Sequence, residues 1–133
     1  RAMMRRGTPE ADLQRAVVQA LRIALPRSAI IHHCANEVTE AGPRGAKRQA
    51  ILVGMGVHAG FADLMVICDG RVLFLELKAP KGRLRPEQET FRDAVQTQGF
   101  GWALVRSLDD ALGALADHGF TTRIAPAPRR PAP

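Results

Sequence analysis

The sequence contains no tyrosine, and aromatic residues make up only 5% of its 133 positions. Sheets that read single-stranded nucleic acid by stacking bases need an aromatic platform, so that mode of recognition is disfavoured. Cysteine is scarce too. Cys34 and Cys68 are the whole supply, which gives neither a metal-ligand spacing nor a disulfide framework. Both are expected as small buried apolar residues in a reducing compartment. No apolar run approaches a membrane span and no segment resembles a signal peptide, so a soluble, cytoplasmic chain with no membrane partner is expected. Gly54 and Gly56 follow a predicted helix and lack the strand-turn-helix frame of a dinucleotide fingerprint, so no nucleotide cofactor is expected. They are expected to form a tight turn that delivers Asp63. No internal repeat is visible.

What is present suits one domain: 46% of residues are hydrophobic, enough for a core. The formal charge is +6, and 16 of the 19 basic residues are arginine. The guanidinium fork matches phosphate, so a polyanionic partner fits; arginine-rich codon usage accounts for the excess equally well.

Read along the chain, residues 1–7 are basic and irregular. Thr8-Pro9 starts a helix, with a capping hydroxyl followed by proline at the first helical position. Leu13, Val17, Ala20, Leu21 and Ala24 follow at helical spacing until Pro26. Residues 29–34 read as a short strand, 36–46 as a polar loop and 47–53 as a short helix. Residues 62–68 form a strong strand, Asp69-Gly70 is a tight hairpin turn, and 72–78 return as its partner. A basic loop spans 79–85. Pro86 opens a helix to about Gln98, which Gly99 closes. Residues 102–105 form a strand, and Ser107-Leu108-Asp109-Asp110 starts a last helix that stops near Gly119. The domain is expected over 8–120, with a Pro/Arg-rich disordered tail over 121–133. The order is α-β-α-β-β-α-β-α. The two central strands are apolar on both faces, so helices should cover both sides of the sheet.

The chemistry sits in the hairpin. If Asp69-Gly70 is a two-residue turn, 68 faces 71, and counting outward puts Asp63 opposite Glu76. Directly opposed Cβ atoms lie roughly 5 Å apart. Two carboxylates held that close among apolar neighbours repel, and stability alone does not place them there. A divalent cation removes the conflict, and hard oxygen ligands suit Mg²⁺ or Mn²⁺. Strand alternation puts Lys78 on the Glu76 face, where an ammonium and a metal can polarise a phosphate and orient water. A Glu-x-Lys alone is more often a solvated strand edge; its register with Asp63 favours function.

Other polar residues converge less sharply. Glu10 shares the stripe of Leu13 and Val17; a helix-dipole role and a metal role fit its spacing equally. Gln88 shares the stripe of Phe91 and Val95 in a first turn, where a phosphate contact competes with a somewhat better-fitting solvated helix end. Lys81, Arg83 and Arg85 either hold a nucleic-acid backbone or form a solvated loop, at even odds. Arg44, Lys47 and Arg48 form a second candidate patch. His32 and His33 face opposite ways on one strand and cannot share a metal; one should be exposed and one packed. His58 fits best as a loop histidine.

The stretches Gly60-Phe61-Ala62-Asp63, Glu76-Leu77-Lys78 and Gly82-Arg83-Leu84-Arg85-Pro86-Glu87-Gln88 resemble the VRR-NUC family of the PD-(D/E)XK nuclease superfamily. Met55-Gly56-Val57, Asn36-Glu37 and Ser107-Leu108-Asp109-Asp110 extend the resemblance over roughly residues 8–118. Ala62 stands where the superfamily signature has proline, a position that ligates nothing. The resemblance implies an α/β fold with a restriction-endonuclease-like core, a mixed sheet flanked by helices. It implies metal-dependent hydrolysis of DNA, with branched or flapped DNA as substrate, in repair, recombination or phage replication. Asp63, Glu76 and the Leu77 backbone carbonyl would bind the metal, with Glu10 matching the first-helix acid of the family, through water. Lys78 would orient the attacking water, and Gln88 would match the glutamine after the core motif. A homodimer is implied by the same analogy. The rivals are a catalytically silent DNA-binding module and a metalloenzyme acting on small phosphate esters.

Overall fold

A computed structural model describes residues 8–35 and 42–123. The expectations for residues 1–7, for the motif Asn36-Glu37 and for the tail beyond 123 lie outside the described residues.

Eight elements follow the expected order. Helix α1 spans Pro9–Ala24, and the Thr8 hydroxyl accepts the Ala11 amide at 3.0 Å, satisfying one of the donors a helix start leaves open. Its buried residues are Val17, Leu21 and Ala24, one stripe at helical spacing. Strand β1 is Ile30–His33, and helix α2 runs Gly42–Gly54. α2 starts five residues earlier than its apolar periodicity suggests. Gly42 adopts φ +80°, and Pro43 then brings a helical φ to the first turn, so the start comes from backbone chemistry rather than from apolar spacing. Residues 42–46 are therefore helical and not loop.

Strands β2 (Leu64–Cys68) and β3 (Arg71–Leu77) meet through Asp69-Gly70. Both turn residues have positive φ, 51° and 75°, the twist-compatible turn that this dipeptide favours. The register pairs Cys68 with Arg71 and Leu64 with Leu75, as counting from the turn requires. Helix α3 (Pro86–Thr97), strand β4 (Gly101–Val105) and helix α4 (Leu108–Asp117) complete the domain. The sheet order is β1-β2-β3-β4. The first two pairings are antiparallel and β3–β4 is parallel.

Strand alternation sorts the core into two layers. On one face Leu64, Val66, Cys68, Leu73, Leu75 and Leu77 pack with α1, α4 and Phe120. On the other, Phe74 and Trp102 pack with Phe91 and Val95 of α3. Phe61, Phe74 and Phe91 cluster there with centroids 4.6–5.5 Å apart; Phe74 meets the other two edge-to-face, and Phe61 and Phe91 are tilted against each other. Coverage of this second face is incomplete. β2 alternates buried and half-buried residues, and β1 leaves Ile30 exposed. His32 and His33 are both exposed, so the expectation that one is packed does not hold; they end β1, the outermost strand of the sheet among the described residues. Cys68 is buried and Cys34 half-buried. Arg123 belongs to the fold rather than to a tail: its amide donates to the Ala24 carbonyl at 2.8 Å and its guanidinium to the Leu25 carbonyl at 3.0 Å.

Candidate active site

Asp63 lies one residue before β2, one step beyond Leu64–Leu75, the last pair of the ladder, as Glu76 does on β3. Its backbone carbonyl accepts the Cys34 amide at 2.9 Å, extending the β1–β2 ladder. Its side chain does something else. Asp63 Oδ2 accepts the Leu77 amide at 2.7 Å. In an uninterrupted hairpin the Leu77 N–H would face the Ala62 carbonyl; where the strands part, the carboxylate substitutes for it. Among the described residues only Oδ2 accepts a hydrogen bond, which leaves Oδ1 for a cation. In an extended strand, N–H and C=O of one residue point to the same neighbour, so the Leu77 carbonyl also points toward Asp63.

Glu76 is 2% exposed, on the α3 face of β3 behind Phe74. Its Oε2 accepts the Gln88 side-chain amide at 3.3 Å. Gln88 is oriented by its other end, since Oε1 accepts the Arg85 amide at 2.9 Å, half of a capping arrangement at the start of α3. With the oxygen committed to a donor, the NH₂ must face the carboxylate. Gln88 is 4% exposed, so it is no solvated helix end. Glycine makes this meeting possible. Gly60 has φ +76°, and a Cβ there would overlap the Glu87 carbonyl. The backbone before Asp63 thus lies directly against the first turn of α3.

Lys78 follows β3 and is 8% exposed, its amide donating to the Val105 carbonyl at 3.0 Å. Asp63, Glu76, Lys78 and Gln88 therefore gather at one end of the sheet. A cavity of about 570 Å³ opens beside them, lined by Asp63, Gln88 and His58 and walled by Gly45, Ala46 and Gln49 of α2. Glu76 and Lys78 do not line it; Gln88 connects it to Glu76. His58 is exposed, with its ring edge against Phe91 at 5.7 Å. Cys34, whose amide bonds to the Asp63 carbonyl, has its thiol pushed above the ordinary range, by burial first and by the Asp63 carboxylate second.

The remaining expected residues are spread wider. Glu10 is exposed in the first turn of α1, a helix packed on the sheet face opposite Glu76, so it does not point into the core as its stripe suggests. Along α1 the stripe meets the core only from Leu13 onward. Among the described residues no third acidic, histidine or cysteine side chain completes a metal-holding group with Asp63 and Glu76. Lys81, Arg83 and Arg85 are exposed on the loop before α3. Arg85 pairs with Glu87 at 3.1 Å, an exposed pair of small energetic weight. Arg44, Lys47 and Arg48 are exposed, and helical spacing turns them away from the α2 face that walls the cavity. Sequence reasoning missed Arg106, whose Nη1 donates to the carbonyls of Ala79 and Pro80 at 2.7 and 3.2 Å. Nothing in residue spacing signals that contact, which bridges two separate strand ends.

No protein-family model matches the sequence, and no curated protein sequence matches it. Solved structures do. A "VRR_NUC domain protein" superimposes with a TM-score of 0.59 at 21% identity, covering 86% of this chain and 91% of that one. This chain has a VRR-NUC fold. A second structure, "VRR_NUC domain", gives a TM-score of 0.55 at 16% identity over 86% of this chain and 100% of that one. Among the described residues this fold comprises four helices and a four-stranded mixed sheet.

Proposed function

We propose that this chain is a metal-dependent nuclease that hydrolyses phosphodiester bonds in DNA. The observation that carries the reading is the carboxylate of Asp63 accepting the Leu77 amide at the open end of the hairpin, one step past the Leu64–Leu75 pair, with buried Glu76 and nearly buried Lys78 flanking Leu77 in the chain. Two carboxylates level with each other in a layer otherwise built of Phe74, Phe91 and Trp102 repel, and a bound cation relieves that repulsion. The donor set of two carboxylates and the Leu77 carbonyl is all hard oxygen. It suits Mg²⁺ or Mn²⁺, ions that keep several waters and need few protein ligands. Such an ion supplies Lewis acidity toward a phosphoryl oxygen and lowers the pKa of bound water.

The chain's own residues do the rest. Asp63 is held by the Leu77 amide, so its free oxygen has a fixed direction. Gln88 holds Glu76. The Lys78 ammonium orients the attacking water and stabilises the charge developing on the phosphate. Lys81, Arg83 and Arg85 bind the flanking backbone, each contact adding salt dependence. Branched or flapped DNA as substrate, and a homodimer as the working form, belong to the same reading; sedimentation tests the dimer.

The test is cleavage of supercoiled plasmid and of branched DNA with Mg²⁺, with Mn²⁺ and with chelator, using wild type, Asp63→Asn and Lys78→Met. Cutting that needs the metal and is lost in both variants is expected. Cutting that survives both substitutions refutes the site. Salt-sensitive DNA binding without any cutting would instead identify a silent binding module.

A further inference from the structure

The turn that follows Lys78 is held from outside its own segment. β3 and β4 run parallel, and the Lys78–Val105 bond keeps them together one residue past the last strand pair. The chains then diverge, Ala79 on one side and Arg106 on the other. Arg106 Nη1 crosses between them to the Ala79 and Pro80 carbonyls. The Ala79 carbonyl also accepts the Gly82 amide at 2.9 Å, closing a turn over 79–82. That turn folds back on the lysine: a Cβ on Gly82 would lie 3.4 Å from Lys78 Cδ and 3.3 Å from the Ala79 oxygen. The base of the clamp is rigid as well. The Arg106 amide donates to Asp110 Oδ2 at 2.9 Å, and Ser107 caps the same first turn of α4 through the Asp110 amide at 3.1 Å.

We propose that Arg106 is a positioning residue for Lys78. One corner of its guanidinium gathers two successive carbonyls, the turn stays closed over the lysine stem, and the ammonium is held at the site. Arg106 acts through backbone carbonyls and not through substrate. Arginine suits this role because its donors are fixed in a plane, whereas an ammonium on a flexible stem orders less well. Errors of about 1 Å in such placements cost on the order of 10²-fold in rate.

The inference rests on the nuclease reading only for its kinetic half, so the experiment has two arms. The chain has three lysines, Lys47, Lys78 and Lys81. In the full chain, labelling with an amine-reactive reagent is followed residue by residue by mass spectrometry, in wild type, Arg106→Met and Arg106→Lys. Arg106→Met should raise Lys78 labelling several-fold, leave Lys47 unchanged, and be partly reversed by Arg106→Lys. In the cleavage assay Arg106→Met should lower kcat roughly tenfold to hundredfold. The salt dependence of DNA binding should keep its slope, because no phosphate contact is lost. Unchanged Lys78 labelling overturns the proposal, as does a shallower salt slope, which would make Arg106 a direct DNA contact. If wild type cuts nothing, the nuclease reading fails while the labelling arm still decides whether Arg106 holds Lys78.

Discussion

Replacing Gly60 by alanine attacks the joint on which the site is assembled. Gly60 sits at φ +76°, where a non-glycine residue costs about 1–2 kcal/mol. The new methyl would also overlap the Glu87 carbonyl and come within 2.8 Å of the Gln88 amide nitrogen. Both obstacles are backbone, so no rotamer change relieves them, and overpacking of this kind costs about 1–3 kcal/mol. Together the loss is about 2–5 kcal/mol, a large part of the ~5–15 kcal/mol stability of an ordinary domain. For a domain of this size it corresponds to a fall in Tm of roughly 10–20 °C. Thermal unfolding followed by circular dichroism measures it. Gly54→Ala is the control: Gly54 has open space around it and no positive φ, so alanine there should be neutral or slightly stabilising. Equal Tm values for the two variants would refute the claim that the Gly60 backbone is wedged against α3. If α3 instead moves to make room, the loss in Tm shrinks but the Gln88–Glu76 bond breaks, and cleavage falls without unfolding.

Asp63→Asn keeps an oxygen for the Leu77 amide and should leave stability within about 1 kcal/mol, whereas Asp63→Ala orphans that amide and should cost about 1–3 kcal/mol by denaturant melts. Both should abolish cleavage; equal stability of the two would show that the Leu77 bond is not structural. Gln88→Glu puts a second carboxylate beside buried Glu76 and should cost roughly 3 kcal/mol at neutral pH. The pKa of the new group is pushed up by burial and by its neighbour, so stability should be recovered as pH falls toward 5 and lost as it rises; a pH-independent deficit would contradict this. Cys34, whose thiol is pushed above the ordinary value of 9.0, should alkylate slowly at neutral pH. Asp63→Asn should speed that reaction by removing the second of the two causes while burial remains, and an unchanged rate would separate Cys34 from the acid.

Much of the architecture was legible because local rules and tertiary structure agree. Thr8-Pro9, Pro86 and Ser107 mark the starts of α1, α3 and α4 through capping and fixed-φ chemistry that acts within a few residues. The hairpin register followed from a two-residue turn, which leaves no freedom to slip. The start of α2 was missed because Gly42 and Pro43 look like loop composition, and only the helix that follows shows them to be its opening. Glu10 was misplaced because periodicity reports which face of a helix meets the core, and not where along the helix that core ends.

Sequence by itself determined the element order and the hairpin with its register, because each depends on neighbours a few residues apart. Tertiary structure alone decided that Gln88 reaches across from α3 to Glu76, that Gly60 lies against the Glu87 peptide, and that Arg106 grips the turn after Lys78. Those contacts join segments 12 to 27 positions apart. Periodicity carries no information at that range; the packing of α3 and β4 against β3 sets it.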